Sequence, residues 1–139
     1  MDGRAFLDSA RLLMTTPTEA NRRSAVAIGY YAILNEARSA LARWGFPVPM
    51  GADIDNFVNS RFSAAKNIDL LRVADALDRL DGNREIAGYS LSTAGIFADD
   101  NRVNHLLQLV ETGIDLLGQI EADPVRFASI CADIRAAFP

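Results

Sequence analysis

Residues 17–44 read PTEANRRSAVAIGYYAILNEARSALARW, and this stretch decides the fold. Val26, Tyr30, Ile33, Ala37, Leu41 and Trp44 recur at spacings of three and four, so they share one face of a helix. Ala27, Tyr31 and Leu34 lie beside that row and widen the apolar arc. A helix apolar over so wide an arc is the buried spine of a bundle. Thr16, Pro17 and Glu19 read as its start: N-cap, first helical residue and capping-box partner. Gly45 ends it, and Pro47 and Pro49 keep it from resuming. At about 1.5 Å per residue such a helix is roughly 42 Å long, more than a small domain usually spans.

The flanking sequence repeats the helical period. Phe6, Leu7, Ala10, Leu13 and Met14 make residues 2–14 an amphipathic helix. After a Gly- and Pro-rich loop, Asp53 or Asp55 caps a short helix carrying Ile54, Phe57, Val58 and Phe62. Asn67 breaks or re-caps it, and Leu70, Leu71, Ala74, Leu77 and Leu80 continue the period. Asp81-Gly82-Asn83 reads as a helix end, and residues 83–98 as mostly loop. Asp99 and Asp100 open a helix with Val103, Leu106, Leu107, Val110, Ile114, Leu117 and Ile120. Asp123-Pro124 opens a last one with Phe127, Ile130, Cys131, Ile134 and Phe138. No segment alternates with period two for long enough to argue a strand. The expectation is all-α: an up-and-down bundle with four core helices, five or six in total, in one domain over residues 1–139. Residues 121–139 form a C-terminal helical extension serving either the core or an interface.

The 139-residue chain is half apolar and about a quarter charged, which suits a folded domain and excludes disorder. One cysteine, Cys131, rules out an internal disulfide, and one histidine beside it makes a zinc site improbable. We expect no metal and no cofactor. The N-terminal residues do not form a signal peptide, and no stretch is apolar enough to span a membrane, so a cytoplasmic protein is expected. Net charge is −4. Residues 1–98 carry eleven basic and eleven acidic residues, and residues 99–139 three against seven. No overall field draws nucleic acid; any such contact needs a local arginine cluster.

No phosphate loop, nucleophile elbow or dinucleotide fingerprint is present. Two constellations bear on chemistry. Arg102 and His105 lie three apart on one helix face, as a phosphate contact beside a general base or as plain exposed polar residues. Tyr31, Asn35 and Arg38 form a polar row on the spine helix, with Arg22 and Arg23 two turns earlier. They read as a groove where arginines meet phosphate and tyrosine stacks on a base, or as core tyrosines with solvated arginines.

The run Arg23-Ser24-Ala25-Val26-Ala27-Ile28-Gly29-Tyr30-Tyr31-Ala32-Ile33-Leu34-Asn35-Glu36-Ala37-Arg38-Ser39-Ala40-Leu41 resembles the second-helix signature of HEPN domains. Leu77-Asp78-Arg79-Leu80, Arg84 and Ala87-Gly88-Tyr89-Ser90-Leu91 resemble the family's later arginine and Ala-Asp-Tyr segment, and residues 99–120 its long following helix. The resemblance covers residues 4–120 in order. It implies a HEPN-like bundle forming a homodimer through the spine helix and a neighbour, and binding a nucleotide, RNA or a protein partner. Small members pair with a minimal nucleotidyltransferase in toxin–antitoxin modules, so that partner is implied too. Many members are metal-independent ribonucleases using an arginine followed, after four to six residues, by a histidine. The matching arginine is Arg84, and the spacing reaches Tyr89, not a histidine. A phenol with a pKa near 10 is a poor general base at neutral pH. The expectation is therefore a non-catalytic domain with Arg84, Tyr89, Arg23, Tyr31 and Asn35 as contact residues. The alternatives are a ribonuclease using His105 and Arg102, and a purely structural or adaptor bundle.

Overall fold

In the computed structural model, residues 2–89, Phe97 and residues 99–139 are described. They form six helices: α1 (Gly3–Leu13), α2 (Glu19–Arg43), α3 (Ile54–Ala64), α4 (Ile68–Tyr89), α5 (Asp100–Glu121) and α6 (Pro124–Ala137). No strand occurs among the described residues.

Local chemistry sets most boundaries. Asp2, Asp53, Asp99 and Asp123 each accept a backbone N–H at the start of their helix, and Asn67 Oδ1 does the same for Asp69 and Leu70. These side chains satisfy donors that have no partner within the first turn. Gly45, at φ +95°, follows α2. It lets Phe46 N–H reach back to the Leu41 carbonyl and its own N–H to that of Ala42, a Schellman stop.

Two expected boundaries are corrected. The spine helix starts at Glu19 with Thr18 as N-cap, not at Pro17 with Thr16. Thr18 Oγ1 takes the Asn21 N–H at 3.1 Å, while the Thr16 N–H is still bonded to Leu13 at the end of α1. The helix before Asp81-Gly82-Asn83 does not end there. It continues to Tyr89, so residues 83–89 are helix, not loop. Residues 90–96 and 98, expected to be loop, lie outside the described residues.

Helices α1, α2, α4 and α5 make the four-helix core, and contacts fix its directions. Gly3 N–H bonds Glu36 near the far end of α2, so α1 and α2 are antiparallel. Arg23 reaches Ala87 and Arg84 lies over Tyr30, so α4 also runs against α2. Helix α5 runs with α2: Arg22 pairs with Asp100 and Arg43 with Glu121. The bundle is up-and-down, with α2 and α5 as its parallel diagonal. That diagonal closes on two glycines. A Cβ at Gly29 would stand 2.9 Å from Leu107 Cδ2, and one at Gly113 2.7 Å from Ile33 Cδ1.

The rest packs outside this core. Helix α3 lies on α2, α4 and α6, and α6 also lies on α5. Phe127 of α6 meets Trp44 edge-on at 5.7 Å between centroids, and Ile130, Cys131 and Ile134 are buried. Arg61 is held between the Phe57 and Phe138 rings, 3.8 Å from each centroid. The centre of the apolar face of residues 121–139 is thus covered by its own chain, while Phe138 stays 36% exposed. No helix is long and apolar enough to cross a membrane, among the described residues.

Candidate functional site

The antiparallel packing of α2 on α4 leaves a cleft of about 260 Å³ between the first half of α2 and the last turns of α4. Arg23, Ser24, Ala27 and Tyr31 line one wall, and Arg84, Ala87 and Gly88 the other. Small side chains at Ser24, Ala27, Ala87 and Gly88 keep it open. Three of the five contact candidates, Arg23, Tyr31 and Arg84, therefore share one site.

Arg84 lies on the Tyr30 ring, 4.7 Å from its centroid. It donates to Asp81 Oδ1 from Nη2 at 2.7 Å and from Nε at 3.3 Å. Asp81 raises the Arg84 pKa, against the opposing effect of burial. Nη1 has no hydrogen-bond partner among the described residues. Tyr30 in turn donates its hydroxyl to Asp55 Oδ2 at 2.5 Å. Burial and that bond push the tyrosine well above its ordinary range, so it stays a neutral donor. Burial also pushes Asp55 upward; the Tyr30 hydroxyl acts against it, and Asp81 and Asp53 reinforce it. The chain Asp55–Tyr30–Arg84–Asp81 thus joins α3, α2 and α4 and fixes where the Arg84 guanidinium sits.

Arg23 does different work. Its Nη1 donates to the carbonyls of Ile86 at 3.3 Å and Ala87 at 2.9 Å. These carbonyls belong to the last turn of α4, where intrahelical donors run out. Nε and Nη2 bind Glu19, and the guanidinium lies 4.7 Å from the centroid of the buried Phe97 ring. Arg23 therefore caps α4 and braces it against the approach to α5.

Tyr31, read from the sequence either as a core tyrosine or as a stacking ring in a groove, is 45% exposed. Its ring packs edge-on against Tyr30 at 5.2 Å between centroids, which orients it at the cleft wall. Asn35 lies one turn on, donates to the Tyr31 carbonyl at 2.8 Å and does not line the cleft. Tyr89 is the last residue of α4, and its side chain lies outside the described residues. Arg102 and His105 are exposed on α5, away from this wall. Asp81 and Asp55 were not anticipated. The Asp81–Arg84 spacing carries a signal once the helix is continuous; Asp55, on another helix, carries none.

Among the described residues no group of three His, Cys, Asp or Glu side chains is placed to hold a metal ion. Chemically the cleft offers an exposed aromatic ring, a hydroxyl at Ser24 and a guanidinium with a spare edge. No histidine or carboxylate is among the described residues that line it. Neither a family model, nor a curated protein, nor a solved structure matches the chain.

Proposed function

We propose that this chain is a non-catalytic HEPN-like domain, acting in the cytoplasm, whose α2–α4 cleft takes a nucleotide or one nucleotide unit of an RNA. The observation that carries the reading is the convergence of Arg23, Tyr31 and Arg84 on one cleft. Tyr31 presents a ring for a base, since stacking tolerates any base and is worth about 1–3 kcal/mol. Arg84 presents its Nη1 edge for a phosphate oxygen, held in place by Tyr30 and Asp81. The volume of about 260 Å³ lies just below the roughly 300–1,000 Å³ of small-molecule sites, so it suits one nucleotide unit at most. Lack of a histidine at the Tyr89 position supports binding without cleavage. A homodimer and a minimal nucleotidyltransferase partner belong to the same proposal and rest on the resemblance.

Fluorescence anisotropy with labelled RNA, at low and moderate salt, tests the cleft. Arg84→Ala and Tyr31→Ala each weaken binding about tenfold or more, the size expected for loss of a charge-assisted bond or a stacked base. Wild-type affinity in both variants contradicts the reading.

One observation favours the adaptor alternative: Arg23 and Arg84 are both already paired within the chain, to Glu19 and Asp81. That reading predicts no RNA or nucleotide binding by the wild type at all. The ribonuclease alternative needs cleavage that His105→Ala abolishes.

A further inference from the structure

One buried ring carries both groups offered to a ligand in the α2–α4 cleft. Tyr30 is 3% exposed and does not itself line the cleft. Arg84 lies on its ring, 4.7 Å from the centroid, and Tyr31 packs edge-on against it at 5.2 Å between centroids. The spacing between the guanidinium edge and the exposed ring therefore depends on where Tyr30 stands and how its ring is turned. The outer torsion of a tyrosine is broad, so packing is helped by an anchor at the far end of the ring. That anchor comes from another helix. The Tyr30 hydroxyl donates to Asp55 Oδ2 of α3 at 2.5 Å, in the range of charge-assisted bonds. Asp55 is partly buried and does not line the cleft.

Helix α3 is itself lightly held. Of its eleven residues only Val58 and Phe62 are buried. Among the described residues its other side-chain hydrogen bond to the four core helices joins Asn59 to Asp78, and that bond is exposed. A helix with few buried contacts opens locally before the rest of a domain does. The bond to Tyr30 thus ties a loosely docked helix to the ring that sets the cleft. Coupling of this kind is mutual: whatever restrains one end restrains the other by the same free energy.

We infer that Asp55 is a positioning residue of the α2–α4 cleft, holding Arg84 and Tyr31 in place through Tyr30, so that occupancy of the cleft and docking of α3 strengthen each other. The inference rests on the proposed reading of the cleft as a binding site. Asp55 touches no ligand in it and acts only through the Tyr30 hydroxyl.

The test begins without ligand, by nitrogen-15 and proton resonance. Asp55→Ala moves the Arg84 Nε–Hε resonance and the Tyr31 ring resonances, and Tyr30→Phe does the same. Asp55→Asn, which keeps an oxygen for the hydroxyl, leaves both near their wild-type positions. Helical circular dichroism is unchanged in all three. With labelled RNA, Asp55→Ala and Tyr30→Phe each weaken binding about two- to tenfold, the size of one lost hydrogen bond. The double variant binds no more weakly than either single one, as for two ends of one bond, and Asp55→Asn restores most of the affinity. Hydrogen exchange at residues 54–64 slows when RNA saturates the wild type and is indifferent to RNA in Tyr30→Phe. Unmoved resonances in Asp55→Ala, or wild-type affinity in it, overturn the positioning role and leave the cleft as a binding site. Additive losses in the double variant overturn the route through the hydroxyl. Exchange in α3 that RNA does not slow in the wild type overturns the coupling. Resonances that respond as stated in a wild type that binds no RNA defeat the proposed function and support the hold of Asp55 on Arg84 and Tyr31.

Discussion

Arg23 shows how one side chain resolves a shortage of hydrogen-bond partners. The last carbonyls of α4 have no N–H ahead of them within the helix, and a forked, permanently charged donor from α2 reaches two of them. Arg23→Ala is expected to lower stability by about 1–3 kcal/mol, as for a lost hydrogen bond to a charged group. Chemical denaturation measures it, and Arg23→Lys recovers little because an ammonium lacks the fork. A loss confined to RNA binding, with stability intact, would contradict the capping role. Asp55 makes a second prediction at this scale. Burial holds its carboxyl above the ordinary range, so the folded state binds that proton more tightly than the unfolded chain. Its contribution to stability therefore falls as pH rises through the folded pKa and stays unfavourable above it. Asp55→Asn keeps an oxygen for the Tyr30 hydroxyl and cannot ionise. Thermal melts should show the stability of Asp55→Asn relative to wild type growing from pH 4 to pH 7. A difference that is flat or shrinks over that range would show the carboxyl is not perturbed upward.

Helix α4 carries the lesson at the scale of the element. Caps are local, and Asp53, Asn67, Asp99 and Asp123-Pro124 were legible because each side chain bonds an N–H two or three residues away. The length of α4 was not. Asp81-Gly82-Asn83 has the composition of a helix end, yet what carries the helix onward lies mostly elsewhere in the chain. Arg23 comes from more than sixty residues away, and Ala87 is buried in the core. Which of the two tyrosines is exposed was open for the same reason: periodicity gives the arc of a helix, and only its neighbours decide that Tyr30 is buried and Tyr31 meets water. The candidates Arg84, Tyr31 and Arg23 were legible as residues, and their convergence became visible only with the antiparallel register of α2 and α4. Gly82 remains a cost inside the continuous helix. A Cβ there meets nothing within 4 Å, so Gly82→Ala should stabilise the chain by about 0.5–1 kcal/mol. Differential scanning calorimetry should find the midpoint raised by roughly 1–4 °C. A lowered midpoint would mean that the helix breaks at Gly82.

For the whole molecule, the abundant arginine acts chiefly as bracing. Arg4 and Arg11 tie α1 to α5, Arg22 and Arg43 tie α2 to α5, and Arg126 ties α6 to α4. Arg61 and Arg135 lie against rings. This pairing of charge within the chain fits the even balance of residues 1–98 and leaves no broad basic surface among the described residues. The docking of α6 has its own reporter. Cys131 is buried, and burial pushes its thiol upward, so a thiol reagent should label native protein slowly. Phe127→Ala, which removes the contact with Trp44, should speed that labelling; native labelling as fast as in denaturant would mean that α6 is not held. The central claim is that the α2–α4 cleft is the binding site. It is tested most directly by following backbone amide resonances as a short RNA is added. The account predicts shifts concentrated at residues 23–31 and 84–88. Shifts confined to residues 102–105, or none at saturating RNA, would contradict it.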